Sequence, residues 1–445
     1  MRVRAISAAI ACSFIASLSG AGGSAPVQIT QSDGAQNDQF GYSVSISGDT
    51  LIVGAPYDTI GATTYQGSAT VFKLVGGIWV QQAKLTASDG QPFDYFGSSV
   101  AISGDTVVVG APLDNIVSNS DQGSAYIFVR SGNVWSQQAK LTATDGAASD
   151  RFGNAVGISG NSVIVGASFD NVGAIVDQGS AYIFTRAGTV WSQQARLSAS
   201  DGVANDIFAF SVAIDGDVAV AGVPYDNIGT NLSPGSAYVF ARTGTAWTQH
   251  AKLLASDGSD SDSFGYSVAV SADTIIVGAM NDQTATGLGS AYVFARDGAT
   301  WPEQAHLFAP ASFLRPAPLG DRGAAAAGDF GGSVAISGDT AIVGAANRDI
   351  GTNVAQGAAC VYSRSGSDWT FFSTFKAPDG THYDNLGYAV GVSGDTTVIG
   401  VCGDDIGVKV NQGSAWVYNL CPIDLNADGI VDDSDFVFFV GAYNL

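Results

Sequence analysis

A stretch reading FGSSVAISGDTVVVGAP between Phe96 and Pro112 returns in recognisable form seven times in this 445-residue chain. Its Phe-Gly position falls at Phe40, Phe96, Phe152, Phe208, Phe264, Phe330 and Leu386, in steps of 56, 56, 56, 56, 66 and 56 residues. A period of this size held over seven copies restricts the chain to a propeller or an array, in which each unit covers its apolar surface with the next. The long step has a local origin: 29 positions separate Trp301 from Phe330 against 17 between Trp247 and Phe264, while Gly278 to Gly289 spans 11 against the usual 13.

Each unit holds four strand candidates. In the second, Ser99–Ser103 alternates apolar and small residues, whereas Thr106–Ala111 is continuously apolar and must be covered on both faces. Gly123–Phe128 forms the third and leads through Arg130-Ser131-Gly132-Asn133 into the fourth, Val134–Leu141. Gly-Asp pairs at Gly48-Asp49, Gly104-Asp105, Gly216-Asp217, Gly338-Asp339 and Gly394-Asp395 suit two-residue hairpins with positive φ at glycine. The expected fold is all-β: a seven-bladed β-propeller of four-stranded antiparallel blades.

The seventh unit ends at its third strand, Gly413–Leu420, and lacks a fourth. The missing piece stands at the other end of the chain. Val27-Gln28-Ile29-Thr30 precedes Ser32-Asp33-Gly34 just as Ala83-Lys84-Leu85-Thr86 precedes Ser88-Asp89-Gly90. The N-terminal strand is therefore expected to complete the last blade and close the ring, leaving few open edges.

A formal charge of −22, from 18 basic and 40 acidic residues, repels a phosphate backbone and argues against nucleic acid as a partner. Arg2 and Arg4, the apolar run Ala5 to Leu18, and Ser19-Gly20-Ala21 read as an export signal over residues 1–21, implying a secreted or cell-surface protein. No later run approaches the roughly 20 apolar residues of a membrane span. Cys12 leaves with the signal, and Cys360, Cys402 and Cys421 form no disulfide framework. Cys402 and Cys421 are expected at opposite ends of neighbouring strands, beyond the reach of a bridge that needs Cα atoms within about 7 Å.

Strand alternation places every long loop on one face of the propeller. Three acidic series go with them: Asp33, Asp89, Asp145, Asp201, Asp257 and Asp379; Asp38, Asp94, Asp150, Asp206, Asp262 and Asp384; and Asp58, Asp114, Asp170, Asp226, Asp282 and Asp404. That face is expected to be strongly negative. Asp beside Gly accepts backbone N–H bonds in turns, and a second role in binding cations or basic ligands stays open. Six equivalent copies single out no place for catalysis, so no catalytic residue is assigned and the chain is read as non-enzymatic. The alternative is a glycoside-active carboxylate pair among these acids. The insertion Ala311–Asp329 breaks the symmetry and offers Phe313, Leu314, Arg315 and Arg322 as ligand contacts, while the recurring Trp79, Trp135, Trp191, Trp247, Trp301 and Trp369 are read as packing.

Phe40-Gly41 with Gly54-Ala55-Pro56, and Phe96-Gly97 with Gly110-Ala111-Pro112, resemble the FG-GAP repeat of integrin α-subunit heads and many bacterial secreted proteins. The resemblance covers residues 26–420 and implies a propeller that binds an extracellular protein or polysaccharide. Phe208-Ala209, Gly278-Ala279-Met280 and Leu386-Gly387 depart from the pattern. Integrin-like blades often carry a D-x-D-x-D-G calcium loop between the first two strands. Here that place holds only a Ser-Gly-Asp turn, so calcium is not carried over to it.

Residues 421–445 follow a different pattern. Asp424, Asn426, Asp428, Gly429, Ile430, Asp432 and Asp435 occupy positions 1, 3, 5, 6, 7, 9 and 12 of an EF-hand loop. Alternating oxygen donors with glycine at the sharp turn are what Ca²⁺ requires, and Ile430 would contribute its carbonyl. Phe436, Phe439, Val440 and Tyr443 mark one face of a following helix. The segment resembles half of a type I dockerin, which implies a cohesin-like partner; a complete dockerin has two such loops.

Overall fold

Thr106–Ala111 is buried along its whole length, as are Thr50–Ala55, Ser162–Ala167, Val218–Val223 and Thr274–Ala279. A strand with no solvent face needs a cover on each side, and a single four-stranded blade supplies neither. In the computed structural model, which describes residues 25–283, 288–310 and 329–420, seven antiparallel sheets of four strands each supply the cover for one another. Ile52, Val71 and Leu85 of blade 1 form one apolar cluster with Phe96, Val107 and Val109 of blade 2. Each fully buried valine or leucine of this kind contributes about 1.5–3 kcal/mol. First strands of successive blades touch around the axis, and the first strand of blade 7, Leu386–Ser393, returns to that of blade 1, Ser43–Ser47.

Closure is as expected. Val27–Ile29 pairs antiparallel with Ser414–Asn419, with Val27 opposite Val417, Gln28 opposite Trp416 and Ile29 opposite Ala415. Ile29, Val398 and Val417 of this last blade then pack against Leu51 and Val53 of blade 1.

The repeated motif turns out to be the joint between blades. Gly110, near the end of one second strand, has no Cβ because the carbonyl oxygen of Gly153 from the next blade occupies that space. Gly54 meets Gly97 and Gly400 meets Gly41 in the same way, so the closing joint is built like the others. Phe96, Phe152 and Phe40 sit beside these joints fully buried, each donating its amide to a carbonyl of the preceding blade at 2.9, 2.8 and 2.9 Å. At the outer rim, the indole N–H groups of Trp135, Trp191, Trp247 and Trp369 donate to Gln82, Gln138, Gln194 and Gln304 of the preceding blades. The tryptophans there are packing groups.

Three strand limits differ from the sequence reading. The third strand of blade 7 runs Ser414–Asn419 rather than Gly413–Leu420, with Gly413 bridging to Phe40 of blade 1. The third strand of blade 2 runs Ser124–Ser131 rather than Gly123–Phe128, because Gly123, at φ +82°, bridges to Phe152 of the next blade while the hairpin needs only Gly132-Asn133. The fourth strand of blade 5 shrinks to Glu303–Phe308 and leaves Trp301 outside it, since Pro302 has no N–H for the ladder.

Gly110→Ala is expected to destabilise the protein by roughly 3 kcal/mol, because the new methyl meets backbone across a blade joint. Gly104→Ala, in a hairpin at φ +57° with open space around it, is expected to cost about 1 kcal/mol. Denaturant unfolding of the two variants checks the ordering.

Candidate functional site

The acidic series of the long-loop face divide by role. Asp38, Asp94, Asp150, Asp206 and Asp262 are buried and accept backbone N–H bonds from the residue three positions earlier, at 2.5–2.6 Å. This is the turn-stabilising role expected of them. Burial pushes all five carboxyls from 3.8 up to about 6, against the opposing pull of those N–H donors, and the carboxylate of the neighbouring buried series adds to the rise.

The other two series share a cation. Lys140 reaches exposed Asp89 at 2.6 Å and buried Asp114 at 2.7 Å. Lys84, Arg196 and Lys252 bridge Asp33 with Asp58, Asp145 with Asp170, and Asp201 with Asp226 in the same manner, at 2.6–2.8 Å. In blade 5 His306 takes this place, stacked on Tyr292 at 3.9 Å. Gln28 of the closing strand takes it in blade 7, bonding Asp379 and Asp404 at 3.3 and 3.0 Å. For Asp33, Asp89 and Asp201 partial burial raises the carboxyl, but the bonded lysine outweighs it and the pKa ends lowered. The long-loop face is thus less negative than expected: much of its acid is either buried in turns or neutralised from within the same blade.

Blade 6 replaces the whole group. Arg348 stands where other blades have the buried Asp, Cys360 where four have Tyr, and Thr374 where four have Lys or Arg. Cys360 and Cys402 are buried free thiols, each pushed by burial up to about 12.

A second feature of this face has no sevenfold repeat. The residue after each Phe-Gly position is Tyr42, Ser98, Asn154, Phe210, Tyr266, Gly332 or Tyr388 in turn. Tyr42 packs on Tyr388 and Phe210 on Tyr266, each pair with ring centroids 4.9 Å apart. Between blades 1, 2 and 3, and bounded by Phe210 of blade 4, this cluster opens into a cleft of about 400 Å³ whose other walls include Tyr42, Tyr57, Tyr95, Leu113 and Phe169. The Arg151 guanidinium lies 4.4 Å from the Phe169 ring centre. No carboxylate, histidine or cysteine lines the cleft.

Aromatic rings continue outward from it. Tyr57 contacts Tyr95 at 5.1 Å and Tyr65 at 5.6 Å, and Tyr65 contacts Phe93 at 5.7 Å. Tyr65, Phe93 and Tyr95 all hold left-handed backbone, with φ of 51°, 68° and 54°. At the position of Phe93 other blades place Asn37, Ser149, Asn205, Ser261 and Tyr383, and at that of Tyr65 they place Asp121, Asp177, Ser233, Ala355 and Asn411. Short polar residues tolerate this backbone; a bulky aromatic there costs on the order of 1–2 kcal/mol. The cleft was missed in the sequence. The signal lay in the few positions flanking each Phe-Gly and Gly-Ala-Pro that change from copy to copy while their neighbours hold.

The other sites anticipated from sequence lie outside the described residues. These are the export signal at residues 1–21, the insertion at residues 311–328, and the calcium ligands Asp424, Asn426, Asp428, Ile430, Asp432 and Asp435 with the helix after them. Among the described residues no helix is long and apolar enough to cross a membrane, and no group of three or more His, Cys, Asp or Glu is placed to hold a metal.

A closed seven-bladed propeller with regular joints suggests a binding or scaffold role at most. The FG-GAP repeat model matches residues 26–72, 79–128, 135–184, 191–240, 247–294, 319–362 and 369–418, and the chain belongs to that family. Five of the matched segments, 79–128, 135–184, 191–240, 247–294 and 369–418, start on the fourth strand of one blade and end on the third strand of the next, so the sequence repeat straddles the joint. No curated protein matches the chain.

Two outcomes follow from the buried acids. Because the folded pKa of Asp38, Asp94, Asp150, Asp206 and Asp262 is raised, their contribution to stability is complete below 3.8 and is lost as pH rises from there through about 6. The lowered Asp33, Asp89 and Asp201 act oppositely, losing their contribution below 3.8. The melting temperature is expected to peak at about pH 4 and to decline from there toward pH 7, which a calorimetric pH series checks. Lys140→Met strands buried Asp114 and is expected to cost about 2–3 kcal/mol, whereas Lys140→Arg, the residue blade 3 already uses, stays within about 1 kcal/mol by urea unfolding.

Proposed function

We propose that this protein is a secreted, non-enzymatic binding propeller that presents its long-loop face to an extracellular partner and is attached through a calcium-dependent C-terminal segment. The observation that carries the binding role is the cleft between blades 1, 2 and 3: concave, aromatic and without an acid–base pair. The turn acids with raised pKa lie buried and occur in six equivalent copies, Asp384 completing the series, which fits a structural role better than catalysis. FG-GAP repeats occur in extracellular and cell-surface proteins, in keeping with the export signal read at residues 1–21.

Asp424, Asn426, Asp428, Asp432 and Asp435, with the carbonyl of Ile430, would hold the Ca²⁺. The ion would order the loop and so present Phe436, Phe439 and Tyr443 to a cohesin-like partner. The second reading, a carbohydrate-active enzyme targeted by this tail, draws on the abundance of carboxylates on the loop face.

Capture of partners from the source organism's surface and extracellular fraction, with and without chelator, tests attachment. Titration with Ca²⁺ is expected to release heat that Asp424→Ala and Asp428→Ala abolish; unchanged heats would remove the metal assignment. Turnover of a polysaccharide or peptide library, lost on a single substitution in the loop face, would favour the enzyme.

A further inference from the structure

We propose that the cleft between blades 1, 2 and 3 binds a neutral polysaccharide chain, which lies along the aromatic path from Tyr42 through Tyr57 and Tyr95 to Phe93. This deepens the reading of the chain as a binding propeller and rests on it. The first ground is that the path does nothing evident for the fold. Blades 3 and 4 form the same loops with Ser149, Asn205, Asp177 and Ser233 where this corner has Phe93 and Tyr65. The aromatic residues occupy backbone that disfavours them, and Phe93 remains 50 % exposed.

The second ground is hydrogen bonding. Tyrosines that serve the fold are satisfied: Tyr126 donates to Asp89 and Asp114, both at 2.9 Å, and Tyr182 donates to Asp170 at 2.8 Å. The half-buried Tyr57, Tyr65 and Tyr95 have no hydroxyl partner among the described residues. Burial raises the Tyr57 pKa, so it stays a phenol able both to donate and to accept. Half-buried phenols without protein partners are placed for a ligand's polar groups.

Charge narrows the ligand. A cationic ligand would meet Arg151 and find no carboxylate in the cleft walls. A polyanion would approach a chain of net charge −22. What remains is uncharged, with apolar faces for the rings and a rim of groups that match phenols in either sense. A pyranose chain has these properties, since its C–H faces stack on rings and each hydroxyl both donates and accepts. An extended peptide fits less well because its N–H groups need acceptors, and the Asn154 Oδ1 already accepts the Ser168 N–H at 3.2 Å.

The full chain is tested by affinity electrophoresis and calorimetry against soluble β-glucan, mannan, xylan and chitin hexamer, with oligogalacturonate and a proline decamer alongside. At least one neutral glycan is expected to bind with a sub-millimolar Kd. Tyr57→Ala and Tyr95→Ala are expected to weaken it tenfold or more, with Tyr57→Phe intermediate. Tyr383→Ala, an exposed aromatic on the same face outside the cleft, leaves binding unchanged, and matching denaturation midpoints show that the variants fold. Binding of no neutral glycan, equal binding by the Tyr57→Ala and Tyr95→Ala variants, or preference for oligogalacturonate or the proline peptide overturns the proposal. If glycans fail while a protein partner is captured, this inference falls and the binding-propeller reading stands.

Discussion

The structure depends on an approach of two backbones. Where Gly110 of one blade meets the Gly153 carbonyl of the next, there is no room for any side chain, and the same contact recurs between Gly54 and Gly97 and at the closing joint between Gly400 and Gly41. Only at this separation do the buried second strands fill one another's apolar faces. A wider joint would leave voids around Val107 and Val109, and cavities in such cores are costly. The glycines of Phe-Gly and Gly-Ala-Pro are therefore two halves of one contact.

Most of the fold was legible because periodicity is a global signal. Seven copies, continuously apolar Thr106–Ala111 and the unmatched Val27–Ile29 specify blade number, strand count and closure without any single residue being decisive. Details decided by one atom were less legible, such as the strand shortened by Pro302 or the glycine at position 123 drawn into the joint. The acids illustrate a different limit. Their places were visible, but their neutralisation by Lys84, Lys140, Arg196 and Lys252 requires knowing which fourth-strand residue faces which loop. Blade 6 shows that this arrangement works as a group, since Arg348, Cys360 and Thr374 replace its members together.

Repetition also separates scaffold from site. What recurs from blade to blade, from the buried phenylalanines of six blades to the ion-paired carboxylates of four, maintains the ring. What distinguishes one sector is confined to side chains that strand pairing does not constrain. The aromatic cleft is of this second kind, and copying hides it because the conserved frame dominates the text. A ring of seven equal joints can vary such positions at little cost to its core, which is how one fold accommodates different ligands.

Amide hydrogen exchange across the closing blade tests the account most directly. If the N-terminal strand completes the ring, Val27–Ile29 and Ser414–Asn419 should exchange as slowly as paired outer strands elsewhere, such as Ser124–Ser131 with Val134–Leu141. Exchange of Val27–Ile29 at the rate of an exposed loop, with blade 7 unprotected beside it, would contradict the closed ring and the two-faced loop arrangement built on it.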